Sequence, residues 1–144
     1  MFSKILATIL AIVATTTCHA AVCTHNMSQQ ADSMLSQLNN WKSVEKYYVQ
    51  YKQCDNGYLA ESSADSISYL IAEHWELLPE VNAIIRRKGP RFERFVLNHI
   101  SEIIGQERLH RLQDLSSNDC PIHLKMLCLK INKKASNADR AFYE

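Results

Sequence analysis

Apolar positions recur at three- and four-residue steps along nearly the whole chain, and strand-like alternation is scarce. Met27, Ala31, Met34, Leu35 and Leu38 form one helical stripe, which Asn39-Asn40 breaks. Trp41, Val44, Tyr48 and Tyr51 continue at the same steps toward Cys54, and Tyr47 falls off that inner face. Asp55-Asn56-Gly57 is a turn signal. The clearest stripe follows: Ala60, Ala64, Ile67, Ile71, His74 and Leu78, widened by Leu70, Trp75 and Leu77. Pro79 either ends this helix or opens a short one over residues 80–87, and Lys88-Gly89-Pro90 is a second break. Phe92, Phe95, Val96, His99, Ile100 and Ile103 make another strong stripe, and Gly105 interrupts before Leu109, Leu112 and Leu115.

Pro121, after the polar loop Ser116 to Asp119, suits the first position of a last helix holding Leu124, Leu127, Cys128 and Ile131. Residues 133–144 are polar and are expected to fray. The pattern predicts an all-α domain over residues 21–132, a compact bundle of roughly five to seven helices with two disulfides. No internal repeat or low-complexity block is present.

The first twenty residues follow a different logic. Lys4, the apolar run from Ile5 to Ala14, and small residues at Cys18 and Ala20 give the charge, core and cleavage-site order of a bacterial secretory signal. The run is shorter than the ~20 residues that span a bilayer. Thr15-Thr16-Thr17 makes a poor lipobox. Cleavage after Ala20 is therefore expected, and with it a periplasmic or secreted location.

That address changes the meaning of the composition. Of the 16 Lys and Arg, Lys4 belongs to the leader, so the remaining bases balance the 15 Asp and Glu. A neutral domain has no nucleic-acid footprint, and it holds no apolar run long enough for a membrane helix. Of the five cysteines, Cys18 leaves with the leader. Cys23, Cys54, Cys120 and Cys128 remain, an even set that reads as two disulfides in an exported chain. With no Cys-x-x-Cys pair, a zinc site is not expected, nor is any other metal or cofactor.

Helix geometry narrows the pairing. If the last helix starts at Pro121, Cys120 and Cys128 lie about 12 Å apart. A bridge needs less than ~7 Å. Pairing of Cys120 with Cys128 is therefore disfavoured, and Cys23 and Cys54 are each expected to bridge to the C-terminal segment.

Three groups of residues could carry chemistry. His74 and His99 lie on the apolar stripes, with Glu73, Glu76 and Glu102 nearby in sequence. They could form a buried catalytic or metal-binding pair, although a core histidine satisfied by a carbonyl or carboxylate accounts for each more simply. Asp55, Asn56, Tyr58, Glu61 and Asp65 cluster at a helix start. They could form a contact surface or an acid/base set, while a turn followed by acids at the positive end of a helix dipole explains them structurally. Arg86, Arg87 and Lys88 with Arg91 and Arg94 could receive an acidic partner or lipid head groups, or simply solvate a helix C-terminus. Ser62, Ser63, Ser66 and Ser68 lack a nucleophile elbow. No catalytic residue is nominated.

The run Cys54-Asp55-Asn56-Gly57-Tyr58-Leu59-Ala60-Glu61, with His74-Trp75, Phe95-Val96-Leu97 and Cys120-Pro121, resembles a group of small exported α-helical bacterial proteins with no assigned activity. The Cys-x-x-Gly-Tyr spacing is also similar, more loosely, to helical periplasmic immunity proteins that neutralise cell-wall-degrading effectors of type VI secretion. That resemblance implies a protein-binding domain whose partner is another protein, a secreted effector among the candidates. Asp55, Asn56, Tyr58, Glu61, Arg86, Arg87 and Arg91 are then its contact candidates. The alternative is a small periplasmic enzyme or ligand- or metal-binding protein using His74, His99 and Glu102.

Overall fold

The computed structural model describes residues 22–144. The leader and its cleavage position lie outside them. The described residues form seven α-helices: α1 (His25–Leu35), α2 (Trp41–Tyr51), α3 (Gly57–Glu73), α4 (Leu78–Lys88), α5 (Pro90–Asn98), α6 (Gln106–Asn118) and α7 (Lys125–Arg140). Short 3-10 turns at Lys52–Cys54, Trp75–Leu77, Glu102–Ile104 and Ile122–Leu124 join some of them. Among the described residues there is no strand, and no helix is long and apolar enough to cross a membrane.

The helix starts follow from local chemistry. Thr24 Oγ1 accepts from the Met27 amide at 3.2 Å at the start of α1. Asn40 and Ser43 form a reciprocal capping box on α2, with Asn40 Oδ1 accepting from the Ser43 amide at 2.9 Å. Gly89 separates α4 from α5 with φ +84° and ψ −172°, a conformation that only glycine adopts without strain.

One core runs through the bundle. Trp41, Tyr47, Ile67, Leu70, Ile71, Phe92, Leu109, Leu112 and Ile131 are all sealed in it. Each such side chain stabilises by roughly 1.5–3 kcal/mol relative to exposure. α6 and α7 form an antiparallel hairpin, in which Asn132 Nδ2 donates to the Gln113 carbonyl at 3.1 Å and His110 meets Asp139 at 3.0 Å.

Several expectations are corrected. Cys120 and Cys128 are bonded to each other, and Cys23 is bonded to Cys54. The final helix begins at Lys125, not at Pro121, whose ψ of 133° is extended. The 3-10 turn at Ile122–Leu124 then folds Cys120 back over the start of α7, so the two Cα atoms are 6.1 Å apart. Tyr47 is fully buried rather than off the inner face, because Phe95 of α5 packs over it with ring centroids 6.4 Å apart. The segment expected to fray is helical through Arg140. Ala135 and Ala138 are buried and extend the stripe of Leu127, Cys128 and Ile131. The Phe92 stripe also breaks early: α5 ends at Asn98, and Ile103 is exposed.

Candidate functional site

The turn between α2 and α3 is held from two sides. The Cys23–Cys54 disulfide ties it to the segment just before the Thr24 cap of α1. One residue on, the Asp55 carboxylate turns inward rather than to solvent. Its Oδ2 lies 3.1 Å from His99 Nε2 at the end of α5. Its Oδ1 accepts from Ser63 Oγ of α3 at 2.8 Å and meets the Tyr47 hydroxyl of α2 at 3.5 Å.

His99 is 4% exposed. Its Nδ1 lies 2.7 Å from the Phe95 carbonyl, an acceptor only, so Nδ1 carries a hydrogen. Nε2 faces both the Asp55 carboxylate and Ser63 Oγ, the latter at 2.9 Å. Every contact is satisfied when Nε2 also carries a hydrogen and donates to Asp55, while Ser63 donates to the other carboxylate oxygen. This assignment rests on the hydrogen-bond network. It makes an ion pair that ties the turn, α2, α3 and α5 together. Burial, and then the Asp55 carboxylate beside it, raise the Tyr47 phenol well above its ordinary range.

Serine, histidine and aspartate meet here without forming a hydrolytic triad. Ser63 is fully buried, so no substrate carbonyl reaches its Oγ. In a triad the two ring nitrogens divide between serine and aspartate. Here both contact Nε2, and a backbone carbonyl occupies Nδ1. The network fixes shape.

The turn it holds is exposed from Asn56 to Tyr58. Gly57 adopts φ +52°, and Tyr58 follows it 67% exposed. Beside it a groove of about 620 Å³ runs between the turn and α1, lined by Thr24, His25, Gln29, Asp32, Asn56 and Tyr58 among others. Tyr58, Glu61, Asp65, Tyr69 and Glu73 then follow at helical steps as the exposed face of α3. Arg108 binds Asp65 at 2.6 Å and lies over the Tyr69 ring, and Arg111 pairs with Glu73 at 3.1 Å.

The structure therefore brings some candidate residues together and separates others. Asn56, Tyr58 and Glu61 share the exposed end of α3, but Asp55 belongs to the interior brace. His74 and His99 do not form a pair. α3 ends before His74, which leaves the apolar stripe and meets Glu76 at the surface at 3.2 Å. Glu102 is exposed in a separate 3-10 turn, because the helix holding His99 stops short of it. Arg87 and Lys88 share Glu45, at 2.6 and 3.1 Å, while Arg86, Arg91 and Arg94 are exposed. Among the described residues no group of three His, Cys, Asp or Glu is placed to hold a metal.

No family model, curated protein or solved structure matches this chain.

Proposed function

We propose that the protein is a non-enzymatic binding domain of the periplasm, exported by a leader cleaved after Ala20. It grips another protein with the exposed end of α3. The two disulfides suit an oxidising environment, which supports the exported compartment. The observation that carries the binding reading is Tyr58. It is a large exposed aromatic on a turn that a disulfide and a buried ion pair both immobilise. Tyrosine is enriched among the residues that dominate binding energy, and a rigid presentation lowers the ordering cost of association. Asn56, Glu61 and Asp32 supply polar groups around it.

The particular role we favour is immunity to, or inhibition of, a cell-wall-targeting effector. The alternative, an enzyme or ligand- or metal-binding protein using His74 and His99, loses support from the sealing of His99 in the core.

The test uses the oxidised protein as bait, in parallel with Tyr58→Ala and Tyr58→Phe. A stoichiometric partner should be captured by the parent and by Tyr58→Phe, and its affinity should fall at least tenfold with Tyr58→Ala. Co-expression should then protect cells from the captured partner when that partner is produced in the periplasm. Unchanged affinity in Tyr58→Ala overturns the site, and failure to rescue overturns the immunity role.

A further inference from the structure

The outer face of α7 has no place in the reading above, and it combines two properties that seldom meet on a helix packed into a core. It is apolar: Ile122, Met126 and Leu129 are 84%, 68% and 63% exposed. Met126 and Leu129, three residues apart on α7, share the face opposite the buried Leu127, Cys128 and Ile131, and Ile122 lies in the 3-10 turn that leads into the helix. It is also basic. From Cys120 to Ala138 the chain has Lys125, Lys130, Lys133 and Lys134 and no acidic residue. Helical periodicity sets Lys125 and Lys130 on opposite flanks of the apolar stripe, and Lys133 continues it.

The neighbouring helix adds to the charge. Lys130 Nζ pairs with Glu93 at 2.7 Å, and Lys134 Nζ donates to Asn98 Oδ1 at 2.9 Å, so α5 lies alongside. α5 itself carries exposed Arg91 and Arg94. Two acids on or beside α7 have partners: Glu93 holds Lys130, and Asp139 holds His110. The surface is thus positive on a chain that is close to neutral overall.

We infer that this face rests on an anionic lipid bilayer. An interfacial helix buries an apolar strip at the headgroup boundary while flanking lysines reach the lipid phosphates. Ile122, Met126 and Leu129 supply the strip, and Lys125 and Lys133 supply the charge. The charge sign selects anionic over zwitterionic lipid. The inference stands apart from the proposed partner site, because neither face uses residues of the other.

Vesicle flotation tests it. The oxidised protein is mixed with vesicles of phosphatidylglycerol and phosphatidylethanolamine, or with phosphatidylcholine alone, at low salt. Partitioning should be at least tenfold higher onto the anionic vesicles and should fall as salt is raised. Each lysine near such a surface contributes about fivefold, so Lys125→Gln with Lys133→Gln should lower partitioning roughly 25-fold. Ile122→Ser, Met126→Ser and Leu129→Ser together should lower it more than tenfold. All five positions are exposed, and circular dichroism of the variants should match the parent. Equal partitioning onto the two vesicle types, or unchanged flotation of the triple serine variant, overturns the inference. So does a dimer in light scattering that the triple variant abolishes while the parent ignores vesicles, which would make this face a contact between copies. Binding to an acidic polypeptide such as polyglutamate without flotation likewise overturns it.

Discussion

Replacing Asp55 tests the brace most directly. In Asp55→Ala the carboxylate disappears, and His99 Nε2, Ser63 Oγ and the Tyr47 hydroxyl each lose their common acceptor. Removing one partner of a buried ion pair costs about 3–5 kcal/mol, because the other charge remains buried and unpaired. Side-chain exposures of 5% for His99 and 11% for Asp55 place this pair in that regime. A domain of this size is stable by about 5–15 kcal/mol in total, so the loss is a large share. It corresponds to a fall in Tm of about 12–20 °C.

Asp55→Asn separates charge from geometry. The amide can donate to a neutral His99 Nε2 while its oxygen accepts from Ser63, so the network stays closed at a cost of about 1 kcal/mol. Urea unfolding of the three proteins, followed by circular dichroism, measures both. Asp55→Ala within about 0.5 kcal/mol of the parent, a typical bound for neutral surface changes, would refute the brace. Equal losses for Asn and Ala would refute the expectation that the amide keeps the network closed, and would assign the whole stabilisation to the charge of the pair.

Other outcomes follow from the same structure. Peptide mapping should recover Cys23–Cys54 and Cys120–Cys128. Replacing each pair with serine should cost about 3.7 and about 2.5 kcal/mol respectively in the loop-entropy model, given separations of 31 and 8 residues, as read by urea unfolding. Gly89→Ala meets no atom within 4 Å, but it forces a side chain into φ +84°, so thermal unfolding should show a loss of about 1–3 kcal/mol from backbone strain alone. The Glu45 carboxyl is held below its ordinary 4.5, first by the Arg87 hydrogen bond and then by Lys88 against some desolvation. A lowered folded value means stability present above that ordinary value and lost as the pH falls through the folded one. Glu45→Gln should flatten the acid limb of a Tm against pH curve there, and an unchanged limb would count against the pair.

The helices were legible because each carries its own stripe: Ala31 and Met34 on α1, Ile67 and Ile71 on α3, Leu109 and Leu112 on α6 all proved buried. The start of α7 was misread for a local reason. Proline is equally at home in a helix first turn and in extended backbone, and at Pro121 the second held. That single dihedral reversed the inferred disulfide pairing. The stripe in α7 runs past Ile131 on Ala135 and Ala138, whose small side chains give a weak apolar signal beside four lysines. Asp55 and His99 were each visible as unusual residues, one in a turn and one on an apolar face. Their meeting was not, because it depends on how α5 packs against the α2–α3 turn. The usable clue was that a histidine on a buried stripe needs a polar partner, and Asp55 follows a cysteine, a residue type most often buried.

The disulfide connectivity has a consequence for how the chain matures. Each bridge joins cysteines that are consecutive among the described residues, Cys23 with Cys54 and Cys120 with Cys128. A chain that crosses a membrane from its N-terminus presents Cys23 and then Cys54 to the oxidant before the other two emerge. An oxidase that links cysteines in order of arrival makes the native pairs directly, and no shuffling step is required. On such a route the α1–α2 portion, which the first bridge encloses, is locked while α6 and α7 are still in transit.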